Sequence, residues 1–503
     1  MFNLLISHKI SFLLTSLLIL FLIIVSIGYK NHIYTFQFVD EDDNFTVAKY
    51  LNQGERIYSD IFSHHQPVTY ILSSVIQKTK YTNNINQLIK YHRYFIIVYG
   101  VIWCLFLFYK FRIYVLPFIV LYELTKIHLS GHTFLAEAII VYPLVYLFLS
   151  VLLNKPKKSN LEYLFIGINI TVIMFTLAPL WPILLFLICI LLFKNKTKIF
   201  INAGFILLGF LFTTIIIFNF LSFKDYFYNT IYLNIYYYIT PDEKTYLFRS
   251  FFSFIYYILI KDVAIFIRIS SLFYLVLSTY FASKIDKYIP LITFTALGLA
   301  NIRFASSGFH LLPWYGLLIC SISFMTIRII ENNKIKFNQK SLITLLVFML
   351  CIFILYIAKG SLFKNIDSEK EMYISYSQQY DYGKVVNVLK REDDSLMVIP
   401  IEPLILWQAD INHSTKYPFY YSWMDKVLFI KNEIIHTFDN NPPTFLYYNS
   451  DYATYETINK YLHMYKRINK HNKNSYLYIL KNKYKTLNKD ELSNLNFYNF
   501  TIQ

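Results

Sequence analysis

The chain has 503 residues, of which 56% are hydrophobic, 19% are aromatic and only 16% are charged. A soluble globular domain is typically about one quarter charged, so this composition excludes an ordinary soluble protein and predicts a multi-pass membrane protein. The formal net charge is +16. The Lys and Arg residues nevertheless stand in short clusters between apolar runs and form no basic face, which argues against nucleic acid as a partner.

Apolar runs recur from Ile10 to Ala358, with lengths near the roughly 20 residues that cross the hydrocarbon core of a bilayer. We predict about eleven transmembrane helices from this pattern. They lie near residues 10–28, 94–109, 113–127, 133–153, 161–178, 180–193, 199–221, 264–282, 288–304, 309–327 and 341–358. Two elements could instead be re-entrant: the short run 113–127, and the pair of brief runs that meets at residues 179–182.

Short basic connections between the runs predict the orientation of the chain. With the N-terminus inside, five of them fall on one side: 110–112, 155–158, 194–198, 284–287 and 328–340. The positive-inside rule makes that side cytoplasmic. The segments 29–93, 222–263 and 359–503 then face outward. No cleavage site follows the first run, so we interpret it as a retained anchor.

The composition becomes polar and charged after residue 358, which predicts two domains. Residues 1–358 form the transmembrane domain, and residues 359–503 form an extracytoplasmic soluble domain of α/β or α+β type, with strand-like pieces at 396–400 and 445–448 between helix-like ones. The chain contains no Gly-rich phosphate loop and no nucleotide fingerprint. A nucleotide cofactor is therefore not expected, and this absence argues against a cytoplasmic ATP-driven pump.

Four adjacent carboxylates, Asp40-Glu41-Asp42-Asp43, directly follow the first span. Such groups repel one another unless a cation, a proton or a hydrogen-bonding substrate is nearby. The cluster therefore predicts a general base or a divalent metal site at the membrane surface. The alternative is a solvated acidic loop that only helps to determine topology.

A second group of candidate residues follows in the same outward segment. It comprises Asp60 and the adjacent pair His64-His65, and after it comes an apolar stretch, 71–76, that is too short to span. The stretch predicts a helix lying in the interface. Two histidines near carboxylates are typical of metal binding or proton transfer, although a paired His in a loop is often incidental.

Three further candidates lie at the outer ends of spans. Glu137 falls within hydrocarbon, where an unpaired carboxylate is costly, so it should face a polar cavity or serve as a polar contact between helices. Arg303 could bind the phosphate of a lipid in bidentate fashion, or could simply extend to the interface. His310 stands just beyond it in the motif 308–313.

The order of these residues resembles the GT-C glycosyltransferases that use polyprenyl-phosphate sugars, particularly the bacterial branch of protein mannosyltransferases and aminoarabinose transferases. Members typically carry an Asp-Glu pair after the first span, then a Gly, a Tyr-x-Asp-Phe-like patch and a His-x-Pro-like element. The corresponding positions here are Asp40-Glu41, Gly54, Tyr58 to Phe62 and His64 to Pro67. The chain departs from the pattern at Asp42-Asp43, where a small residue often stands, which leaves open which carboxylate is the base.

The resemblance implies a hexosyl- or pentosyltransferase of the bacterial cytoplasmic membrane. It would move a sugar from a polyprenyl-phosphate donor to a hydroxyl on a glycan, lipid or protein acceptor, with inversion and with Asp40 as general base. Glu41 would assist Asp40, and the substrate-binding residues would be Asp60, His65, Glu137, Arg303 and His310. A divalent cation, if used, would be held by Asp40 and His64. A lipid-linked glycan polymerase or ligase, and a transporter or flippase, are the alternatives.

Overall fold

The computed structural model describes residues 2–80, 82–153, 158–194, 198–238, 247–259, 263–302, 308–332, 337–451, 455–470 and 473–502. The chain divides into two compact units. We call the first the membrane unit; it comprises Met1–Ile33, His92–Ile215 and Pro241–Ser368. We call the second the sheet unit; it comprises Tyr34–Tyr91, Ile216–Thr240 and Glu369–Gln503. Most of the first predicted outward segment therefore belongs to the same unit as the C-terminal residues.

Helices dominate the described part of the chain up to residue 360. In chain order they are α1 (Phe2–Asn31), α2 (Val39–Asn52), α3 (Val68–Thr79), α4 (Ile85–Phe111), α5 (Leu116–Thr125), α6 (Ala136–Leu152), α7 (Asn160–Met174), α8 (Trp181–Phe193), α9 (Ile199–Phe218), α10 (Phe223–Tyr226), α11 (Leu247–Phe251), α12 (Ser253–Leu259), α13 (Ile265–Lys284), α14 (Tyr288–Ala300), α15 (Leu312–Glu331) and α16 (Phe337–Gly360). Two π-helical stretches, Phe227–Tyr232 and Asn234–Tyr238, follow α10.

Six helical segments among the described residues are long and apolar enough to cross a membrane. They are Phe12–Asn31, Ile85–Tyr114, Ile199–Phe218, Ile265–Lys284, Phe309–Glu331 and Ile343–Gly360. Shorter apolar helices occupy Ala136–Leu152, Asn160–Met174, Ala178–Phe193 and Tyr288–Ala300. The prediction of a helical, multi-pass membrane protein is confirmed, whereas the count of eleven spans is not.

The predicted span 113–127 is the one without a counterpart among these ten helices. Only Leu116–Thr125 is α-helical, with a proline in the first turn, and a 3-10 turn over Lys126–Leu129 follows it. Ten residues reach about 15 Å, which is half of the hydrocarbon thickness. Ser130 then takes a left-handed conformation with φ of 57°. The helix therefore ends between its two charged residues, Glu123 and Lys126.

The charged residues at the end of α5 form a buried ion pair, which we call the α5 ion pair. Lys126 Nζ lies 2.7 Å from Glu123 Oε2, and the two side chains are 3% and 5% exposed. Tyr142 OH accepts a hydrogen bond from Lys126 Nζ at 2.7 Å and donates one to Glu123 Oε1 at 2.6 Å. The ring of Tyr29 lies 4.9 Å from the ammonium. Opposite charges cancel here, as an apolar helix bundle requires.

Two glycines allow α7 and α9 to approach each other closely. A Cβ atom added at Gly167 would lie 2.1 Å from the carbonyl oxygen of Ile206, and one added at Gly209 would lie 2.1 Å from that of Leu164. Small residues at such a crossing let the two backbones pack directly, which is the usual basis of helix association in a bilayer.

The C-terminal part of the sheet unit is a mixed α and β structure. Its helices are α17 (Ser368–Leu389), α18 (Pro403–Ala409), α19 (Leu428–Asn440), α20 (Glu456–Asn459), α21 (Lys481–Lys485) and α22 (Lys489–Phe497). Its strands are β1 (Ser395–Ile399), β2 (Asn412–His413), β3 (Phe445–Tyr448), β4 (Tyr465–Lys470), β5 (Lys473–Leu480) and β6 (Phe500–Ile502). The predicted strand-like pieces at 396–400 and 445–448 coincide with β1 and β3.

The six strands form one sheet in the order β2-β1-β3-β5-β4-β6. β1 runs parallel to β2 and β3, and the remaining pairs are antiparallel. β3 is buried along its whole length, as expected of a central strand covered on both faces. Helix α2 belongs to this unit: Thr46 Oγ1 donates to the carbonyl of Pro403, and Tyr50 OH donates to that of Ile411.

Candidate active site

The acidic cluster occupies the first turn of α2 and the residue after it. The preceding residue, Phe38, is extended and offers no side-chain cap. Negative charge is favoured at this position because the N-terminus of a helix presents free N–H groups and the positive end of its dipole. We call the group of Asp40, Glu41, Asp42 and Asp43 the α2 acid cluster.

Access to solvent separates the members of the α2 acid cluster. The side chain of Asp40 is 27% exposed, whereas Glu41, Asp42 and Asp43 are each at most 1% exposed. An external hydroxyl group could therefore reach Asp40 without any movement of the helix. The other three carboxylates lie behind it in the protein.

Asp42 and Asp43, two of the three buried carboxylates, accept hydrogen bonds from side chains of the sheet unit. Gln37 Nε2 donates to Asp42 Oδ2 at 3.0 Å, and Tyr70 OH donates to Asp43 Oδ2 at 2.6 Å. The second oxygen of Asp43, Oδ1, is buried and has no hydrogen-bond partner among the described residues. Burial raises the pKa of Asp43 to about 6, although the nearby His65 and the Tyr70 hydroxyl act in the opposite direction.

His65 lies beside Asp40. Its Nε2 is 3.8 Å from Asp40 Oδ1 and makes no hydrogen bond to the described residues. Two contacts position its backbone: Tyr58 OH donates to the carbonyl of His65 at 2.7 Å, and the N–H of His65 donates to Ser63 Oγ at 3.1 Å. A short rearrangement would bring the imidazole into hydrogen-bond contact with the carboxylate.

The loop that carries His65 folds through two left-handed positions. Gly54 has φ of 101° and Tyr58 has φ of 73°. Glycine adopts such angles without strain, whereas Tyr58 is held there by its hydroxyl contact to the His65 carbonyl and by the bond from its N–H to the carbonyl of Ile61. Asp60 is exposed, and its carboxylate accepts from the N–H of Arg56 at 2.8 Å, so it closes this loop.

His64 is buried among aromatic side chains. Its ring centroid lies 5.2 Å from that of Tyr421 and 5.6 Å from that of Trp423, both at steep angles, and 4.1 Å from that of His65. Among the described residues, no group of three or more His, Cys, Asp or Glu side chains is arranged to hold a metal ion. The divalent site at Asp40 and His64 stays a prediction.

The buried face of α3 carries a residue that sequence reasoning missed. Tyr70 is fully buried and holds both Asp43 and Ser63. The prediction of an interfacial helix at 71–76 rests on its apolar residues alone. The signal that could have found Tyr70 is the polar series Tyr70, Ser73, Ser74 and Gln77, whose spacing places all four on one helical face.

A second pair of predicted residues meets in the membrane unit. Glu137, in the first turn of α6, accepts a hydrogen bond from His310 Nδ1 at 2.7 Å, and the two side chains are 5% and 41% exposed. His310 sits in a 3-10 turn before α15, next to Gly308 with its φ of 72°. These two candidates are 173 residues apart in the chain. Arg303 lies outside the described residues.

Comparisons with known proteins identify the fold. No protein-family model matches the chain, and no curated protein sequence matches it. Among solved structures, it is similar to ArnT from Cupriavidus metallidurans bound to undecaprenyl phosphate, with a TM-score of 0.57 over 93% of this chain and 98% of that one. This chain has the GT-C fold.

The identity between this chain and ArnT is 8%, so the likeness is one of fold. It confirms the GT-C-like fold that the sequence predicted. Because the match covers nearly the whole of both chains, the GT-C fold includes the membrane unit and the sheet unit alike.

Proposed function

We propose that this protein is a membrane glycosyltransferase. It transfers a sugar from a polyprenyl-phosphate donor to a hydroxyl group of an acceptor on the outer face of the bacterial cytoplasmic membrane. The GT-C fold supports the proposal, as does its similarity to a protein crystallised with undecaprenyl phosphate. The apolar helices supply the membrane setting that a polyprenyl lipid requires.

The observation that carries the proposal is the partial exposure of Asp40 at the N-terminus of α2, in front of three buried carboxylates. Asp40 acts as general base. It removes the proton from the acceptor hydroxyl, whose oxygen attacks the anomeric carbon of the donor sugar. The bond from that carbon to the phosphate oxygen breaks, and its electron pair leaves with the polyprenyl phosphate. A single displacement of this kind inverts the configuration, and the proton remains on Asp40.

The surrounding residues support the base. Glu41, buried beside Asp40, positions it, and His65 is close enough to receive its proton after the transfer. Asp43, with a pKa of about 6, carries a proton in part of the population near neutral pH, which lowers the repulsion felt by Asp40. No step in this scheme passes through a metal ion.

Glu137, His310, Arg303 and Asp60 are proposed to bind substrates. Glu137 and His310 form a hydrogen-bonded pair whose histidine is accessible, which suits contact with a polar part of the donor. The guanidinium of Arg303 would offset the negative charge that develops on the departing phosphate. The exposed turn that Asp60 closes leads into the segment carrying His64 and His65.

The test uses the purified full-length protein in proteoliposomes. It is supplied in parallel with labelled hexosyl and pentosyl polyprenyl phosphates, a polyprenyl-pyrophosphate oligosaccharide and a nucleotide sugar. We expect release of free polyprenyl phosphate and transfer of label only from the monophosphate donors. Turnover restricted to the pyrophosphate donor would instead indicate a polymerase or ligase. Movement of intact donor across the bilayer without cleavage would indicate a flippase.

A further inference from the structure

A polar cavity of about 470 Å³ lies in the sheet unit, beside the C-terminal end of α2. Ten of its eleven lining residues are polar or charged, and the eleventh is a tryptophan. They are Lys49, Asn52, Gln53, Gln77, Thr82, Asn83, Lys384, Asn387, Trp407, Gln408 and Asp410. Its volume is in the range of sites that bind small molecules or parts of larger ligands.

Several of the lining side chains are held in place from behind. Trp407 Nε1 donates to Gln77 Oε1 at 3.0 Å, Gln408 Oε1 accepts from the N–H of Ile85 at 3.0 Å, and Asn387 Nδ2 donates to the carbonyl of Ala409 at 2.8 Å. These three lining side chains are therefore already ordered before a ligand binds, which lowers the entropic cost of binding.

Other lining side chains keep their hydrogen-bonding capacity for a ligand. Gln53, Thr82 and Asn83 are partly or fully exposed, and their side chains make no hydrogen bond within the described part of the chain. Amide and hydroxyl groups both donate and accept hydrogen bonds. A ligand dense in hydroxyl groups, which also donate and accept, matches this surface better than a purely anionic or an apolar one.

Lys49, Lys384 and Asp410 are the charged residues that line the cavity, and the carboxylate of Asp410 compensates Lys49. Lys49 Nζ lies 2.9 Å from Asp410 Oδ1 and also donates to the carbonyls of Leu406 and Trp407, so its donors are engaged. Lys390 Nζ lies 3.4 Å from Asp410 Oδ2. A phosphate group would find this ammonium pair already occupied by a carboxylate. Of the lining cations, Lys384 alone is left to face a phosphate, so the cavity offers no bidentate contact of the kind that typically holds a nucleotide or a lipid phosphate.

Asp410 also borders a second polar cavity of about 310 Å³, lined by Lys390, Arg391, Glu392, Asp394, Asp410, Ile411 and Asn412. The two cavities share only Asp410, which is left-handed and largely exposed between them. An elongated ligand could therefore lie across Asp410 and occupy both. This favours a chain of sugar units over a single small molecule.

We propose that the two cavities bind a glycan, as a subsite for the part of the acceptor that does not react. Lys49 and Asp40 are nine residues apart on α2, which places the cavity about 14 Å along the helix from the base. A sugar bound there is too far from Asp40 to be the attacking unit. Binding energy from such a remote segment would orient the acceptor for transfer. This assignment rests on the proposed glycosyltransferase function and narrows the acceptor to an oligo- or polysaccharide.

The test measures glycan binding by the full-length protein in lipid nanodiscs, on an array of bacterial surface oligosaccharides, with affinities then determined in solution. We expect the wild-type protein to retain at least one oligosaccharide. The variant Gln53→Ala/Asn83→Ala should bind it about tenfold more weakly, because two hydrogen bonds are lost. A second variant, Thr82→Val, removes the hydroxyl group of another lining residue and should also bind the oligosaccharide more weakly. The matched control is Asn496→Ala, an exposed amide of the same unit that does not line the cavities.

The outcomes separate this inference from the proposed function. Asp40→Asn should leave glycan binding unchanged while it reduces sugar transfer. If no glycan is retained, or if the cavity variants bind as tightly as wild type, the assignment of the cavities is wrong even where sugar transfer occurs. If glycan binding follows the cavity variants but no monophosphate donor is cleaved, the cavities stand as a glycan site and the proposed function fails.

Discussion

The α5 ion pair and the α2 acid cluster are two groups of buried charged side chains among the described residues, and they differ in net charge and in access to solvent. The α5 ion pair joins one cation to one anion, both almost fully enclosed, with Tyr142 bonded to each. The α2 acid cluster joins four anions, three of them enclosed and the fourth, Asp40, partly exposed beside His65. In the α5 ion pair, opposite charges are balanced and enclosed, which suits a structural role. In the α2 acid cluster, the charge is unbalanced and Asp40 is accessible to solvent, so Asp40 can accept a proton.

The largest expected effect is on stability, at the α5 ion pair. Lys126→Met leaves the carboxylate of Glu123 buried without its cation, and breaking such a pair typically costs about 3–5 kcal/mol. We expect a matching loss in the free energy of unfolding, measured by titration with sodium dodecyl sulfate from mixed micelles. The double variant Glu123→Gln/Lys126→Met removes both charges and should recover part of the loss. A single variant as stable as wild type would show that the pair is not a stabilising element.

The second effect is on catalysis, at Asp40. Asp40→Asn keeps the size of the side chain but removes the base, and we expect kcat for sugar transfer to fall about 10³-fold. Stability should change by no more than about 0.5 kcal/mol, because the side chain is partly exposed. The control is Asp393→Asn, which alters an exposed carboxylate of the same unit and should leave turnover unchanged. Near-normal transfer by Asp40→Asn would remove Asp40 from the mechanism.

The third effect concerns the pH dependence of stability, at Asp43. Its pKa rises from 3.8 to about 6 on folding, because burial disfavours the charged form. Its contribution to stability is therefore full below about pH 4 and is lost as the pH rises to about 6, a change of about 3 kcal/mol. Asp43→Asn does not ionise. We expect the unfolding free energy of the variant, relative to wild type, to increase by up to that amount between pH 4 and pH 7. A difference independent of pH would contradict the assignment.

The smallest effect is expected in the membrane unit, at the pair of Glu137 and His310. His310→Ala removes the donor that contacts Glu137 Oε1 at 2.7 Å. We expect the KM for the polyprenyl-phosphate donor to rise about tenfold with little change in kcat, as for the loss of a charged hydrogen bond that serves binding. His310→Asn, whose amide N–H can replace Nδ1, should restore the KM. A fall in kcat at constant KM would instead place His310 in the chemical step.

Much of the fold could be predicted from the sequence. A span in a bilayer must satisfy its backbone hydrogen bonds internally, so an apolar run of sufficient length becomes a helix whatever its neighbours are. The helices α1, α13 and α16 follow their apolar runs for this reason. The strands β1 and β3 follow short apolar runs in the polar tail. The resemblance to the GT-C class depended on local order around Asp40 and Gly54, which tertiary contacts do not alter.

Tertiary structure decided what the local pattern could not. The apolar run 113–127 forms a helix of only ten residues, because Glu123 and Lys126 find partners that allow the helix to end inside the protein. Glu137 contacts His310 although they are 173 residues apart in the sequence, and helical periodicity relates only residues a few positions apart.

In the α2 acid cluster, too, the sequence determines one property and the tertiary structure another. Its sequence determines four adjacent carboxylates at the start of a helix, which repel one another and therefore require a proton, a cation or a partner. Which of them an acceptor can reach depends on the packing of α2 against α3 and the α18 segment, where Gln37 and Tyr70 hold Asp42 and Asp43 and leave Asp40 at the surface. Charge is a property of the chain, whereas access is a property of the fold.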